Sequence, residues 1–150
     1  MSTGVGLGDF MTYVLPIVMI VFFNIIYHIC SKSVPDGLSP FLSLAVTYLV
    51  GFVLSILLFF ITRTGGSVLS ELGRVNWAAP VLGISVVGLE AGFIYAYKSG
   101  WEISRASLVQ SSFLAISLIF VGFILYNEPL TWNKMLGVLV CIAGLVLIYL

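Results

Sequence analysis

One carboxylate, Glu90, lies near the middle of an apolar stretch that is long enough to cross a lipid bilayer. The stretch, AAPVLGISVVGLEAGFIYAYK, runs from Ala78 to Lys98, and about 20 apolar residues match the thickness of a hydrocarbon core. A charged group at this depth is costly, faces the protein interior and usually marks the path of a substrate or an ion. Glu90 is therefore predicted to bind a proton or the cationic group of a substrate. In the structural alternative, a protonated Glu90 only hydrogen-bonds a neighbouring helix.

The first apolar stretch, TYVLPIVMIVFFNIIYHIC, carries two polar side chains at helical spacing. Asn24 and His28 are four residues apart, so they share one helix face, which is predicted to point into the protein. His28 lies nearer the end of the stretch, where water can reach it. Such a histidine either forms a hydrogen bond near the membrane surface or relays protons to a deeper site. Both residues are candidates for the substrate and proton site.

Three further polar side chains are candidates for the same site. Tyr97 follows Glu90 by seven residues and so falls on nearly the same helix face. Gln110 and Ser111 lie in SRASLVQSSF at the start of a later apolar stretch. All three side chains can hydrogen-bond a substrate. The structural alternatives are an interfacial anchor for Tyr97 and contacts between helices for the other two.

The sequence contains no motif of a catalytic or metal centre. The patterns GxxxxGK, GxSxG and HExxH are absent. Cys30 and Cys141 do not form a CxxC pair, and His28 has no carboxylate or cysteine at ligand spacing. We therefore expect no enzymatic activity, no metal and no cofactor. The formal net charge is zero, so nucleic acid is not an expected partner.

The composition predicts an all-α integral membrane protein. Hydrophobic residues make up 61% of the chain and charged residues 8%, a balance that is typical of membrane proteins. Because unpaired backbone polar groups are not tolerated in lipid, each apolar stretch must be a helix. We predict one domain over residues 1–150 with five transmembrane helices. The five stretches are Met11 to Cys30, Pro40 to Thr62, Ala78 to Lys98, Ala106 to Tyr126 and Asn133 to Leu150.

Small residues at helical spacing predict where helices approach each other closely. Gly88 and Gly92 lie at GxxxG spacing on either side of the central glutamate. Gly137, Cys141 and Gly144 line one face of the last helix. Both sets are predicted to pack against other helices or to form a dimer contact. The second apolar stretch has a comparable row of Ser43, Thr47, Gly51 and Ser55.

Two connections between the stretches carry local signals. The connection TRTGGSVLSELGRVN, between the second and third stretches, predicts a loop with one interfacial turn. Before the last stretch, Glu128 and Thr131 are placed to stabilise the free N–H groups at the start of the final helix.

The basic residues predict no fixed orientation in the membrane. Five crossings would put three basic residues on each side, whereas an excess in the cytoplasmic loops normally sets the orientation. Two oppositely inserted copies would form an inverted repeat, as in many secondary transporters. We therefore predict an antiparallel homodimer of ten helices, with both copies of Glu90 near a shared midplane cavity. The two sets are Arg63, Arg74 and Lys134, and Lys32, Lys98 and Arg105.

Several segments resemble a five-helix EamA-type domain of the drug/metabolite transporter superfamily. LSPF at Leu38 to Phe41 is similar to the start of that family's second helix. The segment GFIYAYKSGWEISRASLV is similar to the junction between its third and fourth helices, and NEPLTWNKMLGVLVCIAGLVLIYL is similar to its C-terminal segment. Family members usually carry two such domains in inverted orientation and export amino acids, nucleobases or other metabolites. The resemblance implies that this chain is one half of a transporter, paired with a second copy or with a paralogous half.

The closing segment GVLVCIAG is also similar to the dimerising last helix of the small multidrug resistance family. Members of that family have four helices and work as antiparallel dimers. Their essential glutamate lies in the first helix, where this chain has Asn24 and no acidic residue. Glu90 would be a relocated counterpart, and the proton-coupled mechanism of that family does not transfer residue by residue.

These observations favour a secondary active transporter that exports a small metabolite, amino acid or drug-like solute in exchange for protons, by alternating access. Its expected partners are the solute, protons, membrane lipids and the second half of the dimer. The resemblance and the short loops imply a multi-pass protein of a prokaryotic cell membrane. Two alternatives remain open: a flippase for lipids or lipid-linked sugars, and a non-transporting subunit that binds partner helices.

Overall fold

All the regular secondary structure that the computed structural model describes is helical. The described backbone covers residues 7–63, 65 and 67–149, and the described side chains cover residues 11–63, 65 and 67–147. The helices of this part are α1 (Leu7–Lys32), α2 (Pro40–Thr62), α3 (Val68–Leu72), α4 (Ala78–Lys98), α5 (Ile103–Tyr126) and α6 (Trp132–Tyr149).

Four of these helices are long and apolar enough to cross a membrane. They are the segment Met11–Lys32 of α1 and the whole of α2, α4 and α5. The apolar part of α6 with described side chains, Trp132–Leu147, is shorter. The prediction of an all-helical membrane protein is therefore confirmed, while a fifth crossing and the dimer stay predictions.

The helix ends show where apolarity alone misplaces a boundary. Both α2 and α4 have the predicted bounds. Helix α1 continues past its apolar stretch to Lys32, a charge that suits the negative end of the helix dipole. Helix α5 begins at Ile103 rather than at Ala106, because its polar first turn is helical too. That turn carries an ion pair of 3.2 Å between Glu102 and Arg105.

The first compact unit spans Met1–Lys98, and α4 is its central helix, in contact with both α1 and α2. Ala91 and Ile94 of α4 and Leu44 of α2 form the buried core, and Val34, Tyr48 and Val87 pack against it. Most other apolar side chains of these helices are exposed in the isolated chain. Such surfaces face lipid or other helices in a membrane protein.

The connection between α2 and α4 contains the short helix α3, so the turn predicted there is observed. Gly65 precedes α3 with a φ of +129°, a conformation that residues with a side chain rarely adopt. Leu69 in α3 and Trp77 at the end of this connection are exposed. Its position at the membrane interface stays a prediction.

The second compact unit spans Ser99–Leu150 and consists of α5 packed on α6. Asn127 ends α5 in the left-handed conformation, with a φ of 51°. The Thr131 hydroxyl accepts a bond of 3.4 Å from the Lys134 backbone N–H, so its predicted capping role is confirmed. The Glu128 carboxylate instead pairs with the Lys134 ammonium at 3.0 Å and lies against Gly122.

Candidate functional site

Glu90 lies on α4 at the edge of the stripe that packs against the neighbouring helices. Val87, Ala91 and Ile94 form this stripe at steps of four and three residues, the spacing of one helix face. Glu90 is half-buried because it lies beside that stripe. No ion pair to Glu90 is present among the described residues.

Two tyrosines from different helices are the polar neighbours of the Glu90 carboxyl group. Tyr27 of α1 and Tyr48 of α2 both lie close enough to interact with it electrostatically. The hydroxyl oxygens of both tyrosines are buried, and neither makes a hydrogen bond of standard length and angle with a described residue. The Tyr48 hydroxyl lies within hydrogen-bonding reach of Glu90, and the Tyr27 hydroxyl lies within reach of Ser31, but neither contact has the geometry of a standard hydrogen bond. Buried polar atoms in that state usually serve a ligand, an ion or an ordered water.

A hydrogen bond joins α1 to α4 nearer the end of the helices. The Tyr97 hydroxyl and His28 Nδ1 are 2.7 Å apart, and both side chains are buried. In the tautomer that carries its proton on Nε2, His28 accepts this bond from Tyr97. The structure therefore brings together two predicted site residues. His28 forms a hydrogen bond, as the structural alternative for this residue predicted.

Aromatic rings pack around this hydrogen bond. We call Tyr27, His28, Phe93 and Tyr97 the aromatic cluster. The Phe93 ring centroid is 4.7 Å from that of His28 and 5.8 Å from that of Tyr27, in edge-to-face arrangements. It also stacks on Tyr97 at 6.0 Å. Such geometries stabilise aromatic pairs, so the cluster fixes α1 against α4 one turn from Glu90.

Lys98 closes the end of the first unit next to the aromatic cluster. Its ammonium donates to the backbone carbonyls of Pro35 and Asp36, both at 2.9 Å, and to that of Leu38 at 2.5 Å. These three carbonyls belong to the connection between α1 and α2. The Lys32 ammonium lies 5.6 Å from the Tyr97 ring centroid, within the range of a cation–π contact.

Asn24 lies on α1 one turn from His28, in the direction of the membrane centre. It is exposed in the isolated chain, so the prediction that both residues point inward holds for His28 and not for Asn24 within this unit. The physical reason is that α4 passes His28 closely enough to cover it and leaves Asn24 uncovered. The part of Asn24 in a substrate site stays a prediction.

Gln110 and Ser111 belong to α5 in the second unit. The Ser111 hydroxyl donates to the Ser107 carbonyl at 2.6 Å and lies 3.4 Å from Gln110 Oε1. Its donor is therefore already used within its own helix. Gln110 is half-buried and Ser111 is exposed, and their role in binding a substrate stays a prediction.

Within the described chain, no helix packs against the glycines that were predicted to form helix contacts. A methyl group built on Gly88, Gly92, Gly137 or Gly144 would meet nothing within 4 Å. Cys141, on the same face of α6 as the last two, is half-buried and free. These faces are open for contact with a second copy, and that role stays a prediction. The row of small residues on α2 is not the face that meets α4, because Pro40, Leu44 and Tyr48 occupy that face.

Sequence analysis did not identify Tyr27 or Tyr48 as site residues. Tyr27 adjoins His28, and Tyr48 follows the buried Leu44 by four residues. A tyrosine far from the ends of an apolar stretch must find a partner for its hydroxyl. Tyr48 shows that signal, since it lies well inside the second stretch. The sequence could not show that both tyrosines lie near Glu90.

Comparison with known proteins gives one family. The sequence profile of the EamA-like transporter family matches residues 10–150. Comparison with curated proteins and with solved structures gave no significant match. The matched range includes α4 with Glu90 and all the other candidate site residues.

Proposed function

Since the chain belongs to the EamA-like transporter family of multi-pass membrane proteins, we propose that it is a proton-coupled secondary transporter. It exports a small polar or amphipathic solute by alternating access. The resemblance to the drug/metabolite transporters supports export, and the cell membrane of a prokaryote is its proposed location. We further propose that protons and solute use one site, built around Glu90.

The observation that carries this proposal is the position of Glu90 near two tyrosines with buried hydroxyls, Tyr27 and Tyr48. Placing an acidic residue at the centre of a membrane helix costs about 3 kcal/mol. A hydrogen bond between membrane helices returns about 1 kcal/mol. One such bond does not offset the cost of an ionised Glu90, which has no basic partner among the described residues to reduce that cost. Binding of a proton or a cationic group accounts for the residue better.

The proposed cycle uses one carboxylate for two ligands. Protonation neutralises Glu90, and the Tyr48 hydroxyl is close enough to exchange a hydrogen bond with it. Loss of the proton leaves a carboxylate that attracts the solute. Because both ligands need the same oxygens, they bind in turn, and this competition couples solute export to proton entry.

We propose that the working unit is an antiparallel homodimer with five crossings in each chain, or a pair with a paralogous half. The glycines Gly88 and Gly92 support it, because they give α4 an open face that nothing within 4 Å covers. The balanced basic residues support insertion in both directions. In this arrangement, two copies of Glu90 would face one cavity near the midplane.

The test is solute flux driven by a pH gradient in proteoliposomes. Labelled amino acids, nucleobases and primary amines are offered in parallel, and any solute accumulated by the wild type is then used with the variants. We expect Glu90→Gln to abolish the pH-driven component. Glu71→Gln, which alters a carboxylate on α3 outside the spanning helices, should leave the flux unchanged. Retention of pH-driven flux by Glu90→Gln would disprove the coupling role.

A further inference from the structure

Polar contacts close the end of the first unit where α1, α4 and the α1–α2 connection meet. The His28–Tyr97 bond joins α1 to α4 at 2.7 Å, and the Lys98 ammonium holds three carbonyls of the connection. His28 is 8% exposed and Tyr97 is 6% exposed, so water has little access to either side chain. Ser31, three residues after His28, is buried as well. We call His28, Ser31, Tyr97 and Lys98 the closed end of the first unit.

His28 is the residue of the closed end whose charge changes near neutral pH, because histidine ordinarily titrates between about pH 5 and about pH 8. When neutral, it can accept the Tyr97 hydroxyl proton at Nδ1. When protonated, both ring nitrogens carry hydrogen, so Nδ1 can only donate to the Tyr97 oxygen. The hydrogen bond can therefore be kept by reversing its direction. The charge of the ring, and not the bond itself, decides whether the end stays closed.

Two positive groups lie near the His28 ring. The Lys32 ammonium is 5.6 Å from the centroid of the Tyr97 ring, which is 6.2 Å from the centroid of the His28 ring. Lys98 ends α4 one residue after Tyr97. The remaining titratable neighbours, Tyr27 and Tyr97, are ordinarily neutral at this pH. A positive charge on His28 would therefore be opposed by like charges.

No carboxylate offsets that repulsion. The facing elements carry two carboxylates, Glu90 on α4 and Asp36 on the α1–α2 connection. Glu90 precedes Tyr97 by seven residues, about 10 Å along the helix at 1.5 Å per residue, and Asp36 is exposed. Neither forms an ion pair with His28 in the described part of the chain. Because a buried charge without a partner is costly, a protonated His28 favours any arrangement in which water reaches the ring.

We propose that protonation of His28 opens the closed end, so that the first unit contains a pH-sensitive closure between α1 and α4. At high pH, neutral His28 and Tyr97 hold the two helices together. At low pH, the charged ring is hydrated and the helices separate there. Separation uncovers the interface near which Tyr27 and Glu90 interact, so acid on that side would give protons access to Glu90. This consequence for Glu90 rests on the proposed transport function, whereas the opening does not.

The test measures the exposure of the closed end with a thiol reporter in the full chain in nanodiscs. Ser31→Cys is the reporter, and Ser33→Cys, at an exposed neighbouring position, is the reference. Both are made with Cys30→Ser and Cys141→Ser, and the probe is iodoacetamide. The ratio of the two labelling rates removes the effect of pH on the reagent and the thiol. We expect this ratio to rise about tenfold from about pH 8 to about pH 5, because a proton is linked to opening.

Three variants assign the effect to the charge of His28. His28→Asn keeps a hydrogen-bond acceptor for Tyr97 but cannot be protonated in this range, so its ratio should stay low at both pH values. Lys32→Gln removes a like charge and should reduce the rise. Arg74→Gln, at an exposed position between α3 and α4, is the matched control and should behave as the wild type does.

A constant ratio in the wild type, or a full rise in His28→Asn, would overturn the proposal. If His28→Asn is already open at the higher pH, Lys32→Gln decides the matter, since an undiminished rise in that variant contradicts the role of charge.

Flux driven by a pH gradient separates the closure from the transport function. In proteoliposomes, His28→Asn should reduce this flux by the factor by which it reduces labelling at the lower pH. Full flux in His28→Asn would show that the closure does not control access to Glu90. If Glu90→Gln retains the flux while Ser31→Cys still becomes exposed in acid, the transport function is wrong and the closure stands.

Discussion

At the scale of single residues, Glu90 differs from a structural acid by the nature of its neighbours. A lysine or arginine beside it would hold the carboxylate ionised throughout a transport cycle. Its neighbours are instead Tyr27 and Tyr48, and the Tyr48 hydroxyl, which is within hydrogen-bonding reach, can donate to a carboxylate or accept from a carboxylic acid. This environment can satisfy both protonation states, as exchange of a proton for a solute requires.

We expect Tyr48→Phe to reduce the pH-driven flux about tenfold, which corresponds to the loss of one hydrogen bond to a charged group. Tyr13→Phe is the matched control, because Tyr13 is 83% exposed on α1. Unchanged flux in Tyr48→Phe would show that its hydroxyl does not assist Glu90.

The bond between His28 and Tyr97 can be measured with a double-mutant cycle. His28→Leu and Tyr97→Phe each remove one partner of the 2.7 Å bond. We expect the free energies of unfolding, from SDS titration, to show a coupling of about 1 kcal/mol, the usual size between membrane helices. The control cycle pairs His28→Leu with Tyr95→Phe, since Tyr95 is exposed on α4. Equal coupling in both cycles would contradict a specific bond.

At the scale of elements, the connections do as much as the helices to define each unit. Lys98 uses its ammonium to hold three carbonyls of the α1–α2 connection, so the end of α4 organises the loop that precedes α2. In the second unit, Glu128 folds back over the end of α5 and pairs with Lys134 of α6. Each polar contact lies at a helix end, where orphan backbone groups and water are found.

The contact between Gly122 and Glu128 predicts that the effect of Gly122→Ala on stability depends on whether the Glu128 side chain is present. A methyl group on Gly122 would lie 3.1 Å from Glu128 Cδ and Oε2, closer than normal packing allows. Replacing glycine by alanine within a helix gains up to about 1 kcal/mol. We expect Gly122→Ala to show this gain in a Glu128→Ala background and to lose most of it in the wild type.

The measurement is the free energy of unfolding of the four proteins in that cycle. Gly51→Ala in α2 is the control, because nothing lies within 4 Å of the added methyl group. Its gain should be the same with and without Glu128. If Gly122→Ala behaves like Gly51→Ala in both backgrounds, the Glu128 side chain does not lie against Gly122.

At the scale of the whole molecule, orientation in the membrane is the property on which the proposed dimer depends. Equal numbers of basic residues on the two predicted sides give the insertion machinery no preference. We expect both orientations in one cell. Gly37→Cys and Ser70→Cys, each in a chain with Cys30→Ser and Cys141→Ser, place single thiols on the connections at opposite ends of α2.

An impermeant thiol reagent on intact cells should label each of these variants in part, and permeabilisation should complete the labelling. Partial labelling at both positions is the expected result for a protein with two orientations. If only one position is ever labelled from outside, the orientation is fixed and the antiparallel homodimer is excluded. An oppositely oriented paralogous half would then be required.

The helices could be predicted from the sequence, and so could the position of Glu90 in the middle part of α4. Both follow from local properties: about 20 apolar residues fit the bilayer and must be helical there. The bounds of α2 and α4 were predicted correctly for that reason. The polar first turn of α5 and the extension of α1 to Lys32 were missed, because hydropathy marks contact with lipid and not the helix itself.

The sequence by itself determined a helical membrane protein with a carboxylate deep in α4, a histidine on α1 and a tyrosine on α4 as candidate site residues. The tertiary structure decided that His28 pairs with Tyr97 and that Tyr27 and Tyr48 are the neighbours of Glu90. The physical reason is that a repeat of 3.6 residues defines the faces of one helix. The rotation and vertical register of one helix against another come from packing between distant segments.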